Sequence, residues 1–68
     1  MSYMNIIKNL FYERAELTLN EIYLELSMHD EISTTGEKLR HRIRSAIYTL
    51  KKNGEIDRIS RMTYRKRE

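Results

Sequence analysis

From Lys38 to Lys52 the chain runs for fifteen residues without a carboxylate and carries Lys38, Arg40, His41, Arg42, Arg44, Lys51 and Lys52, with Ser45 and Tyr48 among them. A second basic cluster follows at Arg58, Arg61, Arg65, Lys66 and Arg67. A guanidinium offers a planar fork of donors that fits a phosphate or the O6 and N7 edge of guanine, and an ammonium is a mobile point charge. The chemistry these groups suit is recognition of a polyanion, not bond making. Competing chemistries lack their parts. His29 and His41 fall on different expected elements, and there is no cysteine, so no metal site is expected. Glu13 with Glu16, and Asp30 with Glu31, are paired only along the chain. His41 and Ser45 share a helix face, but no acid stands by to orient the histidine. No glycine-rich phosphate loop or nucleophile motif occurs. An enzyme, a cofactor and a small-molecule ligand are therefore not expected.

The net charge of +3 conceals an uneven distribution. Residues 1–33 carry two Lys or Arg against six Asp or Glu, a net −4; residues 34–68 carry eleven against four, a net +7. That asymmetry points the second half at a polyanion, with a solvated basic surface as the plain alternative. Sixty-eight residues make one domain with a modest core. The absence of cysteine suits a reducing cytoplasm; by analogy with small stand-alone basic domains, the cytoplasm expected is that of a prokaryote or a virus-infected host. Asn5, Lys8 and Asn9 interrupt the apolar residues near the start, so neither a signal peptide nor a membrane span is expected.

These side chains need elements to carry them. Met4, Ile7 and Phe11, with Leu10 alongside, predict a first helix over about 3–14. Tyr3 and Ile6 widen its apolar arc, which suits a helix wedged under two others or a homodimer contact through Tyr3, Ile6 and Leu10. Leu17 is expected in a very short strand. Thr18 and Glu21 fit a capping box opening a second helix over about 18–29, with Leu19, Ile22, Tyr23 and Leu26 inward. Ile32 is expected as an anchor in the connection. Thr34 and Glu37 repeat the capping pattern before a third helix over about 35–53. Leu39, Ile43, Ala46, Ile47 and Leu50 mark its buried side, and Asn53-Gly54 its end. Ile56 is expected at C″, folded back on the last turn. A hairpin over about 55–67 completes the chain, turning at Ser60 to Met62. Ile56 and Tyr64 should face inward, with Ile59 exposed or on a bulge, because residues three apart cannot share a strand face.

The expected class is mainly α with a small β-hairpin, in the order helix, short strand, helix, helix, hairpin. Leu50-Lys-Lys-Asn-Gly54-Glu-Ile56-Asp-Arg58, followed by Tyr64-Arg65, resembles the junction between recognition helix and wing in winged helix-turn-helix domains. The resemblance spans nearly the whole chain and rests on pattern; the short wing without a glycine turn departs from common versions. It implies double-stranded DNA as the partner and a transcriptional regulator as the role. The third helix would enter the major groove. Arg44 would read guanine, and His41 and Ser45 would reach base edges. Arg40, Arg42 and Tyr48 would meet phosphates, with Lys52 on the same outer side. Lys38, His41, Arg42 and Ser45, nearest the helix start, would carry most of the specificity. Arg58, Arg61, Arg65, Lys66 and Arg67 would rest on the backbone or enter the minor groove. The amide end of the second helix, at Thr18 to Asn20, is a weaker phosphate candidate. A protein-interaction module for the transcription or replication machinery stays open as the alternative, as does RNA met through the wing.

Overall fold

A computed structural model describes residues 3–67. The elements run α1 (Tyr3–Glu13), β1 (Glu16–Thr18), α2 (Leu19–Ser27), α3 (Gly36–Lys52), β2 (Ile56–Ser60) and β3 (Thr63–Lys66). The fold is mainly α, with three helices on a small antiparallel sheet ordered β1-β3-β2, in a winged-helix-like layout. The expected hairpin is present. The short strand at Leu17 pairs with its second arm, Leu17 opposite Tyr64.

The core is wholly apolar among the described residues. Ile7, Phe11, Leu17, Ile22, Leu26, Ile43, Leu50 and Ile56 lie at its centre, and α3 buries Leu39, Ile43, Ala46, Ile47 and Leu50, the five that its periodicity marks. Ile32 is also buried and anchors the connection between α2 and α3. Ile6 belongs to this same core, and Tyr3 and Leu10 pack half-buried against it. The wide apolar arc of α1 is therefore accounted for within one chain.

The ends of the helices follow from local chemistry. At α2 the capping box forms in both directions: the Glu21 amide donates to the Thr18 hydroxyl (3.1 Å) and the Thr18 amide to the Glu21 carboxylate (2.8 Å). That helix stops at Ser27, two residues short of expectation. The His29 amide tightens onto the Leu26 carbonyl, and the Ile32 amide then reaches the His29 carbonyl, drawing Ile32 inward. The second capping box does not form. Thr35, not Thr34, occupies the N-cap of α3, its side chain makes no cap bond, and Glu37 is one position early for N3. Thr34 instead accepts a hydrogen bond from the Tyr3 hydroxyl (3.0 Å), tying the start of α1 to this connection. Past α3, Gly54 turns left-handed (φ 79°). Its amide reaches the Lys51 carbonyl and the Glu55 amide the Leu50 carbonyl, the paired bonds of a Schellman end. Glu55 therefore holds C″, and Ile56 is the next residue, already in β2.

Three ion pairs lie across the seams. Arg14 reaches Glu21 (3.3 Å) and Glu25 (3.0 Å), joining the end of α1 to α2. Lys8 reaches Glu55 (2.8 Å), and that hydrogen bond, then the carboxylate charge, raises the Lys8 pKa above the ordinary lysine value. Glu21 shifts the other way. The bond from the Thr18 amide, then the Thr18 hydroxyl, holds its carboxyl below the ordinary range. A depressed acid binds fewer protons folded than unfolded, so its contribution is complete above the ordinary carboxylate range and is lost as pH falls through the lowered value.

Thr18→Ala should lower the unfolding free energy by about 1 kcal/mol in urea titration. Glu21→Gln should be less stable than the parent at neutral pH, the two converging in acid. Gly54→Ala should cost about 1–2 kcal/mol through its left-handed backbone. The new Cβ would stand 3.1 Å from the Arg67 guanidinium, a flexible end that can move aside. Backbone strain should therefore set the loss, and Gly36→Ala (φ 65°, nothing within 4 Å of the new Cβ) should lose a similar amount by the same urea titration.

Candidate nucleic-acid interface

Once α3 commits one side to the core, its remaining residues are presented to solvent. Lys38, Arg40, His41, Arg42, Arg44, Ser45, Tyr48, Lys51 and Lys52 are all exposed, and Tyr48 shows 64% of its surface. The neighbouring elements sort these residues onto different flanks.

On one flank the hairpin closes a groove of about 260 Å³ against α3. Arg44, Tyr48 and Lys51 line it from the helix, and Arg58, Arg61 and Tyr64 from the hairpin; Leu19 and Ile47 complete the lining. Four cations and two phenols meet here with no carboxylate among the lining residues. On the opposite flank a wider groove of about 950 Å³ separates α3 from the start of α1, where Lys38, His41, Arg42 and Ser45 face Tyr3 and Met4. The Arg42 guanidinium lies 5.6 Å from the centre of the Tyr3 ring. Arg40 turns toward α2 and covers the Tyr23 ring at 5.5 Å. Lys52 stands at the far end of the helix, outside both grooves.

The hairpin's basic residues do not act as one set. Residues directly opposite each other in a sheet share a face. Arg58 lies opposite Tyr64, which lies opposite the buried Leu17, so Arg58 belongs to the inner side. Arg65 sits between Glu16 and Asp57 on the outer side, and Arg67 pairs with Asp57 (3.5 Å). Lys66, at the base of the hairpin, lies 4.4 Å from the Tyr12 ring centre. Arg65, Lys66 and Arg67 thus stand away from the α3 groove, and the first and last of them have acidic neighbours. Conversely, Lys51, which the sequence marks only as one of the basic residues of 38–52, lines the groove. Its position 20° around the helix from Arg44 was the available signal.

The hairpin is short and held from three directions. Ser60 pairs with Thr63, leaving Arg61 and Met62 as a two-residue turn, and a register shift between Arg58 and Ser60 puts Ile59 on a bulge, 42% exposed, as expected. Among the described residues only Gly36 and Gly54 have positive φ, so the turn closes without left-handed geometry. Arg58 replaces what a glycine would supply: its Nε donates to the carbonyls of Ser60 and Arg61 (both 3.2 Å), and a terminal nitrogen donates to Arg61 (3.0 Å). The Met62 carbonyl accepts from the Leu19 amide (2.8 Å), fastening the tip to the start of α2. This also occupies most of the amide end considered for phosphate, since the Glu21 amide is held by Thr18. Arg58→Ala should therefore speed amide hydrogen exchange at residues 59–63 while leaving exchange in α3 at the parent rate.

Compared with models of protein families, with curated proteins and with solved structures, the chain matches none.

Proposed function

We propose that this chain is a winged helix-turn-helix protein that binds double-stranded DNA and serves as a small transcriptional regulator. The observation that carries the reading is the groove between α3 and the hairpin, where Arg44, Lys51, Arg58 and Arg61 converge with Tyr48 and no acidic residue lines the wall. A phosphodiester backbone supplies closely spaced anions that such a cluster neutralises, releasing condensed counterions. The exposed crest of α3, at His41, Ser45 and Tyr48, then enters the major groove, which is wide enough for a helix. Arg44 lies between crest and groove and is the residue placed to reach a guanine edge. The wing, tied down at Met62, rests on the backbone beside the helix.

The test is titration of a random-sequence duplex at several salt concentrations. Expected are micromolar affinity and a log–log salt slope of about −0.9 per phosphate neutralised. On a selected site, Arg44→Ala should cost about 1–3 kcal/mol and relax specificity, while Arg61→Ala should weaken all sequences alike. Lys66→Ala, altered away from the groove, should change little. Absence of duplex binding even at low salt would reject the reading, and preference for an RNA duplex in competition would redirect it.

A further inference from the structure

The groove on the other flank of α3 has a different chemistry. Its lining joins apolar surface from Met4 and the Tyr3 ring, over a floor at the buried Ala46, to the cations Lys38 and Arg42, with His41 and Ser45 along the helix crest. Met4 and Tyr3 are only half-buried, so their apolar surface is still open to water. The Tyr3 wall is fixed at both ends, by its hydroxyl bond to Thr34 and by the Arg42 guanidinium over its ring. Lys38 and Arg42 stand four residues apart on one side of the helix, and neither is in an ion pair among the described residues. Glu37, the one carboxylate on this groove, is 100° around the helix from Lys38, on the outer lip.

We infer that this groove docks an acidic amphipathic segment of a partner protein, with one apolar side chain over Met4 and the Tyr3 ring and carboxylates against Lys38 and Arg42. Nucleic acid is the poorer occupant, because a phosphodiester gains nothing from methionine. An aliphatic or aromatic side chain gains from leaving water there. Carboxylates four residues apart on a partner helix match the spacing of Lys38 and Arg42 and supply the complementary charge. The groove lies across α3 from the hairpin, so this inference does not rest on the DNA reading, and its test contains no DNA.

The experiment follows the amide and methyl resonances of the full chain during titration with a short alanine-based helical peptide. The peptide carries one leucine flanked by glutamates at i and i+4, and a twin carries lysines in their place. The glutamate peptide should shift Tyr3, Met4 and Ala46, and the lysine twin should not bind. Lys38→Glu with Arg42→Glu should weaken binding roughly tenfold, as expected for reversing two exposed charge pairs. Both positions are exposed, and a free-variant spectrum that changes only around Tyr3 and positions 38 and 42 verifies its fold. Arg44→Glu, on the other flank, should leave the affinity unaltered. Shifts centred on Arg44, Arg58 and Arg61 would mean unspecific attraction to the basic surface and overturn the inference. So would equal binding of the twin, no binding, or concentration-dependent self-association of the free chain through Met4 and Tyr3.

Discussion

In a domain this small, α3 has to serve the core and the surface at once. Five of its side chains fill the centre between α1, α2 and β2, and the buried residues among those described include none that is polar or charged, the Tyr23 hydroxyl being the one buried side-chain polar atom without a partner. Burying an unpaired charge would cost far more than such a domain can offset. Every cation on the helix must therefore face outward. The core thus dictates the orientation of the helix, and the orientation of the helix dictates the surface. Ile43 and Leu50 point in so that His41, Ser45 and Tyr48 point out.

The hairpin depends on the same helix. The Schellman end at Gly54 reverses the chain within a few residues, delivering Ile56 to the core and aligning β2 beside α3. Loops and edges of so short a hairpin are ordinarily mobile. Here β1 pairs with one arm, Arg58 holds the turn carbonyls, and Leu19 holds the tip. A surface assembled from such constrained pieces loses little conformational freedom on meeting a rigid partner, which favours binding without adding any contact.

Helical periodicity made the three helices and their buried residues legible, because a 3.6-residue repeat in a small core has few ways to be satisfied. Thr18 with Glu21, Gly54 and the Ile56–Ile59 spacing were equally readable, each being a rule among near neighbours. What escaped was decided at long range. The choice between Thr34 and Thr35 as cap turned on Tyr3, thirty-one residues before Thr34, which engages the Thr34 hydroxyl. The faces of Arg65 and Arg67 turned on a register with β1 that no local pattern announces. Lys51 was visible on the helix but not its neighbours, since Arg58 and Arg61 reach it only through the docking of the hairpin.

The contrast between −4 in residues 1–33 and +7 in residues 34–68 is a property of the chain that the fold partly cancels. Antiparallel pairing of β1 with β3 sets Glu16 opposite Arg65, Asp57 engages Arg67, and Lys8 of the acidic half pairs with Glu55 of the basic half. The outer sheet face is therefore balanced despite Arg65 and Arg67 at its end. What remains uncompensated is narrower and better placed: the α3 residues that no acidic element approaches, and the two hairpin arginines brought beside them. On the reading proposed above, charge that survives folding in one place, beside exposed tyrosine on one flank and beside methionine on the other, would distinguish partners by chemistry where net charge alone would attract any polyanion.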